Sequence, residues 1–143
     1  MRWNSPEYGL VLPDQFISQA EQLKLINSIG QHVLLEAAKS CKHWNDFGHP
    51  EYKVNVNLSV VQLTQSDFLD KLDMVLKQTA IDPQNLTLEV TESLAINDME
   101  RMIKLLDAIR AKGCRVALDD FGTGYSSLNY IRCLATNPSS TYT

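Results

Sequence analysis

Apolar and polar side chains alternate strictly along Val54-Asn55-Val56-Asn57-Leu58-Ser59. The same alternation recurs in residues 86–91 (LTLEVT) and in residues 114–119 (CRVALD). A period of two residues is typical of a β-strand that buries one of its two faces. We therefore predict three strands, each with one apolar face and one polar face.

Helical patterns precede and separate these strands. Apolar side chains recur at steps of three and four in three long segments, and this period predicts amphipathic helices with one buried stripe each. A shorter helix is expected after Pro13, and a last one from about Ser127. The predicted stripes are Phe16, Ile17 and Ala20; Ile26, Ile29, Val33, Ala37, Cys41 and Trp44; Phe68, Leu69, Leu72, Val75 and Leu76; and Met99, Met102, Ile103, Leu106 and Ile109.

The order of strands and helices predicts the fold class. Repeated strand–helix–strand units imply an α/β fold with a parallel sheet. The chain has 143 residues, whereas a complete (β/α)8 barrel needs roughly 250 residues. A barrel of this class would therefore be incomplete. Residues 135–143 (ATNPSSTYT) lack apolar periodicity and are expected to form a disordered polar C-terminal tail.

Composition excludes several classes of protein. Thirteen basic and seventeen acidic residues give a net charge of -4, which does not fit the clustered basic surface of a protein that binds nucleic acid polymers. No apolar run reaches the ~18 residues of a membrane helix, and the N-terminus has no signal-peptide pattern. Three widely spaced cysteines, Cys41, Cys114 and Cys133, predict free thiols in a reducing cytoplasm.

Three oxygen-bearing side chains lie near the C-terminal ends of the predicted strands, namely Asn57, Glu89 and Asp119. They are about 30 residues apart, the length of one strand–helix unit, so we expect them at equivalent positions on neighbouring strands. Hard oxygen donors of this kind suit Mg2+, Mn2+ or Ca2+, and Asp120 can reach a second cation. Any one of these residues taken alone is more often a strand-end cap or a surface ion pair, and the metal site is inferred from the three together.

A loop with two glycines follows the third strand at residues 121–127 (FGTGYSS). Its glycines allow the backbone to approach a ligand, and the helix N-terminus behind it suits an anion, although an ordinary tight turn also explains it. Glu92 can hold this loop through hydrogen bonds, or it is a solvated turn carboxylate. His32, His43 and His49 have no metal-ligand spacing and are expected at the surface.

These motifs resemble the EAL domain family of bacterial phosphodiesterases, which open cyclic di-GMP to its linear dinucleotide. The resemblance extends from Arg2 to about Leu134, so residues 1–134 are expected to form a partial EAL domain. Its main motifs are residues 2–3 (RW), 29–30 (IG), 56–59 (VNLS), 62–63 (QL), 88–93 (LEVTES) and 117–128 (ALDDFGTGYSSL).

The resemblance implies a fold, a cofactor and a set of site residues. The family fold is a (β/α)8 TIM-type barrel with one antiparallel strand, of which this chain would be an incomplete part with parallel strands. The implied cofactor is Mg2+ or Mn2+. The implied roles are metal ligands for Asn57, Glu89, Asp119 and Asp120, contact with a substrate phosphate for Arg2, and anchoring of the 119–127 loop for Glu92.

The sequence departs from the family pattern at both ends. The Glu-Ala-Leu motif would precede Arg2, where only Met1 stands, and the later Lys-Ile-Asp strand and general-base glutamate are missing. The expectation is a truncated domain of cyclic di-GMP signalling without useful hydrolysis by itself. The alternatives are a non-catalytic module that binds cyclic di-GMP weakly or dimerises, and a soluble remnant without function. A homo-oligomer that covers exposed strand edges is the expected assembly.

Overall fold

The computed structural model describes residues 2–91 and 99–119. Five strands and five helices follow one another in these ranges, with a single 3-10 turn at Pro83–Asn85. In chain order they are β1 (Trp3–Ser5), β2 (Gly9–Val11), α1 (Pro13–Gln22), α2 (Ile26–Asp46), β3 (Val54–Leu58), α3 (Val60–Leu63), α4 (Phe68–Thr79), β4 (Leu86–Thr91), α5 (Met99–Ala111) and β5 (Arg115–Asp119).

A three-stranded parallel sheet, with the strand order β3-β4-β5, forms the centre of the fold. β3 pairs with β4 from Val54 opposite Leu86 onwards, and β4 pairs with β5 from Thr87 opposite Arg115 onwards. The chain passes through α4 between β3 and β4, and through α5 between β4 and β5. The three predicted strands and their parallel arrangement are thus confirmed.

The apolar face of this sheet packs into a single core with the helices. Leu86, Leu88 and Val90 of β4 are fully buried, as the alternation predicts. Burial of one side chain of this size stabilises the folded state by roughly 1.5–3 kcal/mol. The three apolar residues of β4 therefore determine which face of the strand packs against the helices. The helical residues of this core are Leu34, Ala38, Cys41, Leu63, Phe68, Leu72, Val75, Met102, Leu106 and Ile109.

The predicted buried stripe of α2 is wrong in part. Ile26 and Cys41 are buried as predicted, and Leu34 and Ala38 complete the buried face although they were not predicted. Val33 and Ala37 are only partly buried and pack beside the core. Trp44 is 44% exposed, and its ring meets the edge of the Tyr52 ring instead. α2 carries apolar residues around more than half of its circumference, so the pattern did not determine which of them face the sheet.

Two short elements were not predicted from the sequence. An antiparallel hairpin joins β1 to β2, with Trp3 opposite Val11, and forms a sheet separate from the central one. The Ser5 hydroxyl accepts hydrogen bonds from the backbone N–H groups of Glu7 and Tyr8 in the turn. The other element, α3, begins immediately after β3.

Several smaller predictions can be compared with the described residues. The helix expected after Pro13 is α1, in which Phe16 and Ala20 are buried. Cys41 and Cys114 are free and buried, as expected of thiols that pack as small apolar groups. None of the helices within 2–91 and 99–119 is both long and apolar enough to cross a membrane. The helix expected from about Ser127, the tail at 135–143 and Cys133 lie outside the described residues.

Candidate metal centre

The polar side chains of the three parallel strands lie together on the sheet face opposite the core. Asn57 is exposed on this face and Glu89 is partly buried. This face, which we call the polar face, carries Asn55 and Asn57 from β3, Thr87 and Glu89 from β4, and Arg115, Ala117 and Asp119 from β5.

The strand register places two of the predicted ligands side by side. Asn57 lies directly opposite Glu89 in the β3–β4 pair, and neighbouring strands are about 4.8 Å apart. The prediction of equivalent positions is wrong for Asp119, because Glu89 lies opposite Ala117 and Asp119 lies opposite Thr91. An offset of two residues keeps Asp119 on the same face but moves its position about 6.6 Å towards the C-terminal edge of the sheet.

Asn55 lies on this face, as the alternation predicts, but it was not predicted to be a site residue. Its side-chain Nδ2 donates a hydrogen bond to Glu89 Oε1 over 2.6 Å. Asn55 lies opposite Thr87 in the register, so this bond runs diagonally across the β3–β4 pair. The signal was available in the sequence, because Asn55 is two residues before Asn57 and therefore shares its face.

The turn after Asn57 is fixed by the N-terminus of α3. Ser59 caps this helix: its hydroxyl accepts a hydrogen bond from the Val61 N–H, while the Ser59 N–H donates to Gln62 Oε1 over 2.9 Å. This reciprocal arrangement is a capping box, for which Ser followed three residues later by Gln is the sequence signal. The capping box holds the C-terminal end of β3, where Asn57 lies.

The space for the Gln62 side chain comes from a glycine in α2. A Cβ atom added to Gly30 would lie 1.4 Å from Gln62 Nε2 and 2.5 Å from its Cδ. Gln62 is only 8% exposed, so its side chain has little freedom to turn away. A cavity lined by Asn27, Gly30 and Gln62 opens here between α2 and α3. It lies on the helical side of the sheet and is not part of the polar face.

The remaining predicted site residues lie outside the central sheet or outside the described residues. Arg2 is exposed and immediately precedes the hairpin β1–β2, which belongs to the other sheet. Asp120, Glu92 and the 121–127 loop lie outside the described residues, as does the side chain of Asp119. His32, His43 and His49 are exposed, as predicted, and lie on or just after α2.

The donors on the polar face suit a hard divalent cation. Asn57 offers a neutral amide oxygen and Glu89 a carboxylate on the adjacent strand, and both oxygen types are ligands that Mg2+ and Mn2+ prefer. Within the described side chains, no group of three or more His, Cys, Asp or Glu residues is arranged to hold a metal ion. A complete site on this face would thus need a further donor. Asp119, the third ligand that the sequence predicts, is the last residue of β5.

Comparison with known proteins identifies the family. The EAL domain family matches residues 1–136. The bifunctional diguanylate cyclase/cyclic di-GMP phosphodiesterase MucR of Pseudomonas aeruginosa is 40% identical over 134 residues, which are 94% of this chain and 20% of that protein. The chain therefore spans about a fifth of the length of this curated relative.

Solved structures give the same assignment. The PaMucR phosphodiesterase in complex with c-di-GMP matches with a TM-score of 0.87 and 40% identity, over 92% of this chain and 53% of that chain. The EAL enzyme Bd1971, in its cAMP- and cyclic-di-GMP-bound form, matches with a TM-score of 0.80 and 32% identity, over 92% of this chain and 37% of that one. The parallel sheet and its helices are part of a TIM-type α/β barrel, and the chain belongs to the EAL domain family.

Proposed function

We propose that this chain supplies the metal-binding side of a cyclic di-GMP phosphodiesterase site. The observation that carries the proposal is the direct pairing of Asn57 with Glu89 on the polar face. Asp119, at the end of β5 on the same face, would complete the ligand set. The sites of barrel enzymes lie at the C-terminal ends of the strands, which is where these three residues lie.

The proposed cofactor is Mg2+ or Mn2+, on which the EAL family in general depends. When bound, such a cation stabilises negative charge on a phosphate oxygen and makes water a better nucleophile. Glu89 would supply negative charge to hold it, and Asn57 a neutral oxygen from the next strand. In the absence of a cation, clustered carboxylates repel one another, which makes binding of the ion favourable.

The remaining roles follow the family resemblance. Asp120 would bind a second cation, Arg2 would contact a substrate phosphate, and Glu92 would anchor the 119–127 loop. Arg2 is exposed in this structure and so accessible to an anionic ligand. These assignments extend the proposal to the ligand, which would be cyclic di-GMP bound through its phosphates.

We expect little hydrolysis from the 143 residues by themselves. The resemblance implies that a metal-binding glutamate, a water-orienting lysine and a general-base glutamate also take part, and none of these motifs is within the sequence. General acid–base catalysis alone typically contributes 10²–10⁴-fold to the rate. The contributions of residues that act as a unit do not add, so we predict loss of useful turnover without giving a total.

A second candidate function is a module that binds cyclic di-GMP or dimerises without catalysis. The observation that favours it is the open edge of the central sheet: within the described residues, β3 is hydrogen-bonded to β4 and to no strand on its other side. Unpaired strand edges are generally covered in native proteins, and a two-fold homodimer would cover this one.

Titration calorimetry with cyclic di-GMP tests the proposal, with Mn2+ present or with EDTA. We expect weak binding that requires Mn2+ and disappears in Asp119→Ala. The matched control is Asp70→Ala, which removes the same charge from an exposed position on α4, away from the polar face. Absence of heat in the unaltered chain would refute the proposal and support a remnant without function.

A chromatographic assay for the linear dinucleotide, run on the same samples, separates catalysis from binding. We expect no linear product at ordinary enzyme rates with Mg2+ or Mn2+. Turnover at such rates would refute the expected inactivity while leaving the metal-binding role intact.

A further inference from the structure

The hydrogen bond between Asn55 and Glu89 approaches the carboxylate from the side away from the candidate metal position. Asn55 lies opposite Thr87, two residues before Glu89 along the strand direction. Asp119 lies on the other side, two residues beyond the position opposite Glu89. Asn55 is therefore placed to hold the carboxylate without occupying the position between Asn57, Glu89 and Asp119.

We infer that Asn55 is a positioning residue that keeps Glu89 as a one-oxygen ligand and thereby favours Mg2+ or Mn2+ over Ca2+. The bond of 2.6 Å engages Oε1. A hydrogen bond to a carboxylate is among the stronger kinds, so it restrains the rotation of the Glu89 side chain. The inference rests on the proposed function, because it assigns a role to Asn55 only if the polar face binds a cation.

The selectivity follows from how the two classes of cation use carboxylates. Ca2+ takes six to eight oxygen ligands and readily accepts both oxygens of one carboxylate, whereas Mg2+ demands a near-octahedral arrangement with few carboxylates. Two-oxygen binding requires both Glu89 oxygens to face the ion. The bond to Asn55 opposes that rotation, and it leaves one-oxygen binding through Oε2 undisturbed.

The residue type at position 55 argues against a purely structural role. Asn is disfavoured in β-strands, where Thr or Val would pack better on a pleated surface. Asn55 is nevertheless in the second position of a five-residue strand and exposed. Its side chain bonds to the one carboxylate of the polar face whose side chain is described, which is the kind of outer partner that orients metal ligands.

The test measures Mn2+ and Ca2+ affinities of the 143-residue chain by calorimetry. We expect Asn55→Ala to weaken Mn2+ binding by about 10–100-fold, the usual effect of losing such a partner, and to weaken Ca2+ binding less. Asn55→Thr should behave in the same way, because its hydroxyl is one atom nearer the backbone. Thr is also favoured in strands, so this variant guards against misfolding.

Thr87→Ala is the matched control, since Thr87 lies on the same face opposite Asn55. We expect it to change neither affinity. Equal losses for both cations in the Asn55 variants, or no loss of Mn2+ affinity, would overturn the inference while leaving the proposed function in place. Failure of the unaltered chain to bind Mn2+ would overturn both.

Discussion

At the scale of single residues, Cys114 links burial to the pH dependence of stability. It lies just before β5 and is 4% exposed. Burial raises the pKa of the Cys114 thiol to about 11. Two nearby charges have smaller effects on this pKa: Lys112 lowers it and Asp73 raises it. In the unfolded chain the thiol titrates near its usual value of about 8.5. The folded state therefore retains a proton that the unfolded state loses above that pH.

The stability contributed by the protonated Cys114 thiol should be fully present below about pH 8.5 and should be lost as the pH rises towards 11. Urea unfolding at several pH values in this range measures the effect. Cys114→Ala is the control, because it removes this thiol and keeps every other group that loses a proton at alkaline pH. We expect the free energy of unfolding to fall more steeply with pH in the unaltered chain. Parallel slopes for the two proteins would contradict the prediction.

At the scale of the elements, the contact between α2 and α3 determines how β3 ends. Gly30→Ala would normally stabilise a helix by about 0.5–1 kcal/mol. Here the new methyl group would displace the Gln62 side chain from the capping box. Overpacking costs about 1–3 kcal/mol and a lost cap about 1 kcal/mol, so the unfavourable effects exceed the gain. We predict net destabilisation of about 1–3 kcal/mol by urea unfolding.

A double-mutant cycle isolates the contact between Gly30 and Gln62. Gln62→Ala alone should cost about 1 kcal/mol through the lost cap. In the Gly30→Ala background it should cost less or restore stability, because it removes the atoms that clash. A Gly30→Ala variant that is as stable as the unaltered chain would mean that Gln62 turns aside freely.

Elements with a long, one-sided pattern were predictable from the sequence, and short or broadly apolar ones were not. β3, β4 and β5 alternate over five or six residues, so burial of one face leaves little choice of orientation. β1 and β2 have three residues each, which is less than two periods of the strand pattern, and α3 has four, which is little more than one helical turn. In α2 apolar residues cover more than half of the helix circumference. Packing against the rest of the fold therefore determines that Leu34 rather than Val33 is buried.

The candidate site likewise has features that could be predicted from the sequence and features that could not. The pairing of Asn57 with Glu89 followed from equal positions in repeated strand–helix units. The offset of Asp119 by two residues could not be predicted, because strand register depends on how the sheet twists and packs. The spacing of two residues puts Asn55 on the face of Asn57, but it does not reveal that the Asn55 side chain bonds across the strands to Glu89.

At the scale of the whole molecule, two surfaces are candidates for the self-association that we propose. One is the open edge of β3, five residues and roughly 17 Å long. The other is the hairpin β1–β2, where Leu10 is 64% exposed. We expect the strand edge to be used, because on that side β3 has no partner strand among residues 2–91 and 99–119, and its backbone groups can pair across a two-fold axis.

Light scattering at micromolar concentrations should therefore give the mass of a dimer, and hydrogen exchange should show where the subunits meet. Amide protection that rises with protein concentration within Val54–Leu58 is the expected result, because pairing across the axis uses the backbone N–H groups of β3. Leu10→Lys is the control, since it places a charge on the exposed part of the hairpin but leaves the strand edge unchanged. Loss of the dimer in Leu10→Lys would assign the contact to the hairpin instead. A monomer at all concentrations would exclude both surfaces, and the open edge of β3 would then have to be covered within the subunit.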